Sequence, residues 1–424
     1  MELPYWEPLK PHPKQSQAWY TDRKYVILAC GRGSGKTLLA RRRIVRNLAV
    51  SHNLPLAYHA YCLPTYNQAR RVAWEALKAM VPKSWIIGHP HDGDMSIRTI
   101  FRSILFVAGL DKPQRIEGTQ WSSIVLDESC DIKPGTFGRS VLPALTHNCF
   151  SCWRIGVPKR QGPGAAEFRA AFNAGLNDPN TYAASWATSE IVPESELEDA
   201  KSRLDPADYA EQYDAKFGTL GGGIFHCYDE AYNVTERAEY RSNYPIVVMS
   251  DFNVDPMCWC LGHYIDGRMY IFDELSLRQT NTRATLDVLY KKYGKHEYGW
   301  LFTGDAAAKA NKTSADSSDY IQIFNDARFK NKRVVYNSAN PSRRTRFSAT
   351  NAALCNAKGE RRLFIHPRCK VLQADLRDRA YEQGTMEPDD SQFVGHMSDA
   401  LGYGVMLLMP LAVEHNEMPK VYTK

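Results

Sequence analysis

The feature that constrains this chain most is a glycine-rich turn between a strand pattern and a helix pattern. Residues 25–30 form a short apolar run that predicts a buried strand, and residues 36–50 have helical periodicity. Between them the sequence reads Gly31-Arg-Gly-Ser-Gly-Lys-Thr37. Small residues let backbone N–H groups turn inward around an anion at a helix N-terminus, where the helix dipole favours negative charge. The sequence therefore predicts a phosphate-binding loop in an α/β domain.

The residues of this loop have distinct predicted roles. Lys36 would contact the outer phosphates, Thr37 would bind Mg²⁺ through its hydroxyl, and Arg32 would reach the γ-phosphate of the same subunit. Cys30 departs from the strict pattern, which has its first Gly there. The predicted nucleotide-binding residues of the loop are Gly31, Arg32, Gly33, Ser34, Gly35, Lys36 and Thr37.

Three features elsewhere in the first block complete the predicted nucleotide site. Ile124-Val-Leu-Asp-Glu128 is a buried-strand pattern ending in two carboxylates. Asp127 would hold Mg²⁺ and Glu128 would activate the attacking water, although an acidic strand end facing solvent is the simpler reading of the pair alone. Gln15, about twenty residues before the loop lysine, would read the adenine edge or lie in an entry loop. Arg139 would serve a neighbouring subunit as an arginine finger or remain a solvated surface residue.

A second group of acidic residues marks the C-terminal half of the chain. Asp251 ends a strand pattern, Asp305 ends another, and Asp399 lies near the start of a helix pattern. Carboxylates at the ends of adjacent strands, with a third from a packing helix, can hold two cations that clamp a phosphodiester. Taken singly, each aspartate is a candidate helix or turn cap. Asp255 and Glu274 are auxiliary candidates that could equally be surface residues.

Charge is informative only where it is concentrated. The net charge is 53 − 47 = +6, which by itself does not indicate a nucleic-acid partner. Residues 328–370, however, hold twelve basic residues against one acid, and such a patch would contact backbone phosphates without reading sequence. The alternative is a solvated basic face. The basic residues are Arg328, Lys330, Lys332, Arg333, Arg343, Arg344, Arg346, Lys358, Arg361, Arg362, Arg368 and Lys370.

No segment of the sequence predicts a membrane span or a secretory signal, so we expect a cytosolic protein without a membrane partner and with reduced cysteines. Cys149 and Cys152 form one isolated Cys-x-x-Cys pair. A zinc knuckle would need a second pair nearby, so buried or surface thiols are the favoured reading.

The order of these motifs resembles that of the large terminase subunits of tailed bacteriophages. The resemblance covers nearly the whole chain and includes Gln15, the loop, Ile124–Glu128, Ser250-Asp251, Gly304-Asp305 and Ser398-Asp399. It implies an α/β fold in which a P-loop ATPase domain of the additional-strand type precedes an RNase H-like nuclease domain. The implied cofactors are ATP with Mg²⁺ at the first site and two Mg²⁺ or Mn²⁺ ions at the second.

The resemblance also implies partners and a location. Several copies would form a ring, expected to be a pentamer, on the portal protein of an empty procapsid, and would move double-stranded DNA inward. A small terminase subunit would recognise the DNA. The protein would work in the host cytoplasm and, transiently, at the portal vertex.

Domain boundaries and competing functions follow from the same patterns. We predict an ATPase domain over 1–217, a linker over 218–240 with a hinge at Gly218–Ile224, a nuclease domain over 241–410 and a mobile tail over 411–424. A helicase–nuclease of the superfamily 2 type is one alternative, but it would need a second RecA-like domain. A non-enzymatic ATP switch is another, and Glu128 argues against it.

Overall fold

The structure is a computed structural model. Contacts between Cα atoms divide the chain into two compact units, Met1–Leu197 with Ala210–Thr219 and Glu198–Tyr209 with Leu220–Lys424. Residues 219–221 of the predicted hinge, and residues 412–419 and 424 of the predicted tail, lie outside the described part of the chain. The described residues are 12–218, 222–253, 255–309, 317–382, 385–390, 395–411 and 420–423.

The first unit is built on a seven-stranded sheet in the order β3-β4-β2-β5-β6-β1-β7. All neighbouring strands run parallel except β3 and β4, which are antiparallel. Most of these strands are buried along their length, as expected for a parallel sheet covered on both faces. The strands are β1 (Tyr25–Ala29), β2 (Ala57–Leu63), β3 (Ser96–Arg98), β4 (Ser103–Gly109), β5 (Ser123–Leu126), β6 (Ser151–Gly156) and β7 (Thr181–Ala184).

The helices of the first unit cover this sheet. The helical segment over 66–80 includes a π-helical stretch at Ala69–Trp74, and a second π-helical turn spans Phe137–Val141. Two polar helices lie within residues 193–216, and the chain breaks between them before Pro206. The helices of the first unit are α1 (Pro13–Tyr20), α2 (Lys36–Val50), α3 (Tyr66–Gln68), α4 (Glu75–Met80) and α5 (Ala165–Gly175). They are followed by α6 (Glu194–Arg203) and α7 (Pro206–Gln212), whose residues from Glu198 to Tyr209 belong to the second unit.

The second unit has a mixed seven-stranded sheet in the order β13-β10-β9-β8-β11-β12-β14. The pairs β10–β9, β9–β8 and β12–β14 are antiparallel, whereas β8–β11, β11–β12 and β10–β13 are parallel. Two apolar clusters cover its two faces. The strands are β8 (Ile246–Asp251), β9 (Met257–Ile265), β10 (Arg268–Leu277), β11 (Trp300–Gly304), β12 (Lys332–Tyr336), β13 (Leu363–Ile365) and β14 (Lys420–Thr423).

Helices from the C-terminal part of this unit pack on the face that includes Met249 of β8. Among the helices of the described residues, none combines the length and apolar character needed to cross a bilayer. The helices are α8 (Glu230–Asn233), α9 (Thr282–Tyr293), α10 (Asp319–Asn325), α11 (Arg343–Leu354), α12 (Lys370–Asp378) and α13 (His396–Leu408).

The units depart from the predicted boundaries in three places. Glu198–Tyr209, predicted as part of the first domain, belongs to the second unit. The predicted linker also contributes core residues to the second unit, because Ile224 and Phe225 are buried in its apolar cluster. The predicted tail contains β14, which pairs with the edge strand β12. In each case the sequence looked polar or irregular, and long-range packing decided its place.

Candidate functional site

The glycine-rich loop adopts the shape that anion binding requires. Gly33 and Gly35 have φ values of +73° and +83°, in the left-handed region that glycine adopts without strain. Helix α2 begins at Lys36, and no side chain of the described residues caps its N-terminus. The Lys36 ammonium donates to the carbonyl of Gly31 at 3.2 Å and so spans the loop. A 15-residue helix with an uncapped start and a lysine beside it suits a phosphate group.

Gln15 supports the loop from beneath. Its Nε2 donates to the carbonyl of Ser34 at 2.9 Å, and the indole of Trp186 donates to the same oxygen at 3.0 Å. The Gln15 side chain is only 1% exposed. Gln15 therefore has a structural role in holding the loop, and its predicted contact with adenine stays a prediction.

The side chain of Arg32 is exposed, whereas its backbone is held by two hydrogen bonds. Its N–H donates to the carbonyl of Gln212 at 2.6 Å, and its carbonyl accepts from the Thr188 hydroxyl at 2.7 Å. A side chain at Gly31 would overlap with the hydroxyl of Thr188, so the loop is closely enclosed there. No ion pair among the described residues involves the Arg32 side chain, which leaves it available for a phosphate.

Asp127 and Glu128 lie at the carboxyl edge of the same sheet as the loop. Asp127, 2% exposed, follows β5, and β6 alone separates β5 from β1. Glu128 has a φ of +51°, a left-handed conformation that costs energy for a residue with a side chain. Burial and the neighbouring Asp127 raise the pKa of Glu128, while Lys36 opposes that shift. A carboxylate of raised pKa close to the loop lysine is a suitable proton acceptor.

Tyr61 is a site residue that sequence reasoning missed. Its hydroxyl donates to Asp127 Oδ2 at 2.6 Å from the middle of β2. Burial and Asp127 raise the pKa of Tyr61 well above its usual value, so the phenol stays a donor. Arg41 lies over its ring at 5.9 Å and also donates to the carbonyl of Val72 at 2.7 Å, within the π-helical stretch. No signal marked Tyr61, because tyrosine is common in apolar strands.

Arg139 is exposed in the π-helical turn Phe137–Val141, and no ion pair of the described residues includes it. The start of this turn is anchored, because the N–H of Gly135 donates to Glu167 at 2.7 Å. Glu167 is in turn paired with the buried Arg154 at 3.3 Å. Arg139 is thus an exposed residue on an anchored turn, and its action on a neighbouring subunit stays a prediction.

The three predicted metal-binding aspartates lie in one region of the second unit. The N–H of Asp305, directly after β11, donates to the carbonyl of Ser250 at 3.2 Å, one residue before Asp251 on β8. Asp399 is in the first turn of α13, which packs on β8. Burial raises the pKa of Asp251, and the charges of Asp399 and Asp305 raise it further. The structure thus brings the three acids near one another, and their role as metal ligands stays a prediction.

Each of these carboxylates already has a partner. His396 Nδ1 lies 2.9 Å from Asp251 Oδ2, and Asn340 donates to Asp305 Oδ1 at 2.5 Å. The three aspartates are not among the described groups whose ligand atoms all lie within 4.8 Å of one another. They therefore lie near one another without adopting the spacing of a formed metal site.

Asp399 is held by two arginines and does not cap its helix. Arg379 Nη2 lies 3.1 Å from Asp399 Oδ2, and Arg346 Nη1 lies 3.2 Å from Oδ1. Both arginines are buried. The amide of Ser398 is instead satisfied by Asp375 of α12 at 3.0 Å. The alternative reading of Asp399 as a cap is therefore wrong, because α12 supplies the capping carboxylate.

The auxiliary candidate Glu274 and several basic residues of 328–370 have contacts of their own in the folded chain. Glu274 accepts from the N–H groups of Val371 and Leu372 at 2.8 and 2.9 Å, so it caps α12. Asp255 is exposed. Several basic residues of 328–370 are already neutralised by Asp or Glu partners. These pairs are Arg328 with Asp326 and Asp287, Arg343 with Asp390, Lys358 with Glu198, and Arg346 with Asp399.

The cysteine pair at 149 and 152 shows no metal-binding arrangement among the described residues. All ten cysteines are free thiols. The interpretation of this pair as ordinary thiols stays a prediction.

The chain consists of two α/β units, each with acidic residues at the edge of its sheet. This arrangement can be compared with those of known proteins. No protein-family model matches the sequence, and no curated protein sequence matches it. Solved structures do match, and large terminases are among them.

The large terminase of a thermophilic bacteriophage is similar to this chain at 14% sequence identity, with a TM-score of 0.56, over 94% of this chain and 98% of that one. The ADP complex of the same terminase matches at 15% identity and a TM-score of 0.55, over 94% and 99% of the two chains. Its complex with ATP-gamma-S matches at 15% identity and a TM-score of 0.54, over 93% and 98%. The chain therefore has the two-unit fold of a phage large terminase, as the motif order predicted.

Proposed function

We propose that this chain is a large terminase subunit of a tailed bacteriophage, with an ATPase that moves double-stranded DNA into procapsids and a metal-dependent endonuclease that cuts concatemeric DNA. The observation that carries the proposal is that both units place acidic residues at the carboxyl edge of their sheets. In the first unit this edge also holds an uncapped glycine-rich loop. The first unit would then be a P-loop domain of the additional-strand type, with β6 as the strand inserted between β1 and β5.

The first site has the residues that ATP hydrolysis needs. Lys36, Thr37 and the loop N–H groups would bind the phosphates, and Asp127 with Thr37 would hold Mg²⁺. The metal, when bound, would neutralise phosphate charge and orient the γ-phosphate. Glu128, whose pKa is raised by burial, would accept the proton of the attacking water. Arg32 would stabilise transferred charge within the subunit, and Arg139 would do so in a neighbouring one.

The second site would cut DNA with two divalent ions. Asp251, Asp305 and Asp399 offer hard carboxylate oxygens, which suit Mg²⁺ or Mn²⁺. Arg346 and Arg379 are paired with Asp399, so an ion that binds this aspartate would compete with two guanidinium groups. Bound ions would stabilise the attacking and leaving oxygens of the phosphodiester. The mixed sheet, with three antiparallel strands followed by parallel ones, supports an RNase H-like unit.

Partners follow from this proposal and from the resemblance. Double-stranded DNA would be the substrate of both units, the portal protein the docking platform, and the small terminase subunit the recognition partner. A ring of five copies would assemble in the host cytoplasm at the portal vertex of a procapsid.

The structure favours this proposal over a superfamily 2 helicase–nuclease. A second RecA-like domain would have a largely parallel sheet, whereas β8, β9 and β10 are antiparallel. A non-enzymatic switch would not need a half-buried Glu128 in a strained backbone conformation next to Asp127.

Two substitutions test the two activities separately. Glu128→Gln should abolish ATP turnover while ATP binding persists, because the amide cannot accept a proton; unchanged turnover would reject the role of Glu128. Plasmid digestion with Mn²⁺ should occur in the parent protein and stop in Asp251→Ala. Persistent cutting in that variant, or none in the parent, would reject the nuclease assignment.

A further inference from the structure

A mixed set of metal-ligand side chains lies in the second unit, apart from the three aspartates. The carboxylate of Asp205, the imidazole of His226 and the thiol of Cys227 offer ligand atoms that all lie within 4.8 Å of one another. Ligand bonds of about 2.0–2.3 Å around Zn²⁺ separate two tetrahedral ligands by roughly 3.3–3.8 Å, so small side-chain rotations would suffice to close this site. We propose that Asp205, His226 and Cys227 form a structural binding site for a transition-metal ion, with Zn²⁺ as the preferred ion.

The positions of the three side chains support this site. Asp205 is 1% exposed and Cys227 is 9% exposed, whereas His226 is exposed and lets an ion enter from solvent. His226 Nε2 already lies 3.2 Å from Asp205 Oδ1. Asp205 also accepts from the N–H groups of Ala207 and Asp208, at 2.9 and 3.0 Å, so its carboxylate is fixed before any ion binds.

The donor set selects the kind of ion. A thiolate and an imidazole favour Zn²⁺ over Mg²⁺ or Ca²⁺, which prefer oxygen alone. Burial raises the pKa of the Cys227 thiol, and the charges of Asp205 and Cys355 add to this shift. A bound ion would reverse that preference, because metal coordination releases the thiol proton to water. Water is the candidate fourth ligand.

The location of the site suggests what the ion would do. Asp205 belongs to Glu198–Tyr209, the docking segment that precedes the return of the chain to the first unit, whereas His226 and Cys227 lie after that return. The docking segment contacts the end of α11 and the turn after it through Ser202 and Leu204, whose carbonyls accept from Asn356 and Ala357 at 2.8 Å each. A metal ion would fasten the docking segment to the second unit at a further point.

Cobalt binding to the purified full-length protein tests the proposal. Co²⁺ bound by a thiolate gives charge-transfer absorption in the near ultraviolet, which carboxylate sites cannot produce. We expect about one equivalent of Co²⁺ to produce this band in the parent protein and in Asp251→Ala alike, and we expect Zn²⁺ to displace it. The readout is independent of DNA and ATP, so its failure would leave the proposed function untouched, and failure of that function would leave this test valid.

Substitutions make the test specific. Cys227→Ala and His226→Ala should each abolish or strongly weaken the band, and His226 is exposed, so its loss should leave the fold intact. Cys369→Ala and His147→Ala remove a thiol and an imidazole outside the set and should leave the band unchanged. Zn²⁺ should raise the unfolding temperature of the parent and not of Cys227→Ala. Absence of the band in the parent, or its persistence in Cys227→Ala, would overturn the proposal.

Discussion

At the scale of single residues, the first site depends on side chains that no motif contains. Tyr61 donates to the buried Asp127, and Arg41 connects the ring of Tyr61 with the π-helical stretch. A buried carboxylate needs such partners, since desolvation without hydrogen bonds is costly. The sequence motif identifies Asp127, but Tyr61 on β2 determines the orientation of its carboxylate.

Tyr61→Phe should therefore impair the use of Mg²⁺ more than the binding of ATP. Loss of the hydroxyl leaves Asp127 Oδ2 without its donor and costs about 1–3 kcal/mol of stability. We expect ATP turnover to need a higher Mg²⁺ concentration, measured as activity against metal concentration. Tyr58→Phe, in the same strand, is the control. Identical Mg²⁺ curves for parent and Tyr61→Phe would exclude a positioning role for the phenol.

Glu128→Gln should stabilise the protein in the absence of nucleotide. Because the folded-state pKa of Glu128 is raised, its ionisation opposes folding. Stability from this group is fully present below the unfolded pKa of about 4.3 and is lost as pH rises through the folded pKa. Urea unfolding should show Glu128→Gln more stable than the parent at pH 7, with a smaller difference near pH 4. Glu117→Gln, at an exposed position, should show no such gain; equal stability of Glu128→Gln and parent at pH 7 would contradict the prediction.

At the scale of elements, the second site depends on how closely α13 approaches β8. A Cβ at Gly404 would overlap with the sulfur of Met249, so only glycine allows this approach. The same helix presents Asp399 near Asp251, and its N-terminal N–H of Ser398 is held by Asp375 of α12. The separation of the acids is therefore set by helix–sheet packing.

Gly404→Ala should destabilise the second unit and weaken cleavage together. The added methyl group must displace Met249 and move α13, at a cost of about 1–3 kcal/mol for overpacking. Gly402→Ala is a matched control in the same helix, because its Cβ would meet nothing closer than 3.6 Å. Thermal unfolding and Mn²⁺-dependent plasmid cutting measure both effects. If Gly402→Ala were as harmful as Gly404→Ala, helix geometry in general and not the contact with Met249 would be responsible.

At the scale of the whole molecule, the chain passes between its two units three times, after Leu197, after Tyr209 and after Thr219. The docking segment Glu198–Tyr209 is held in the second unit by an ion pair of Glu198 with Lys358 at 2.6 Å and by a hydrogen bond from Ser348 to Asp208 at 2.6 Å. The second unit is thus incomplete without residues that precede the predicted linker.

Fragments of the second unit should differ in stability according to this segment. A fragment starting at Glu198 keeps these contacts, whereas one starting at Leu220 loses several hydrogen bonds of about 1 kcal/mol each, or about 2–4 kcal/mol in total. A fragment starting at Ala210 is the control, because it keeps the connecting residues but not the docking segment. The fragment starting at Ala210 should have the same denaturant midpoint as the fragment starting at Leu220. Equal denaturant midpoints for all three would show that the segment contributes nothing.

Much of the architecture followed from the sequence because it is local. The predicted strands at 25–30 and 123–126 and the helix at 36–50 correspond to β1, β5 and α2, since apolar runs and periodicity report burial directly. Short or amphipathic elements such as β3 and α10 were missed, because three to seven residues carry too little periodic signal. The sequence predicted a tail where β14 forms, because this strand depends on pairing with β12, which is far away in sequence.

The phosphate-binding loop, the acidic strand ends and the order of the two α/β blocks could be predicted from the chain, because they depend on residue type and near neighbours. The support of the loop by Gln15, the contact of Tyr61 with Asp127 and the pairing of Asp399 with two buried arginines became visible only in the folded molecule. Such contacts join residues distant in the chain, and the free energy that fixes them comes from burial and from hydrogen bonds that exist only after packing.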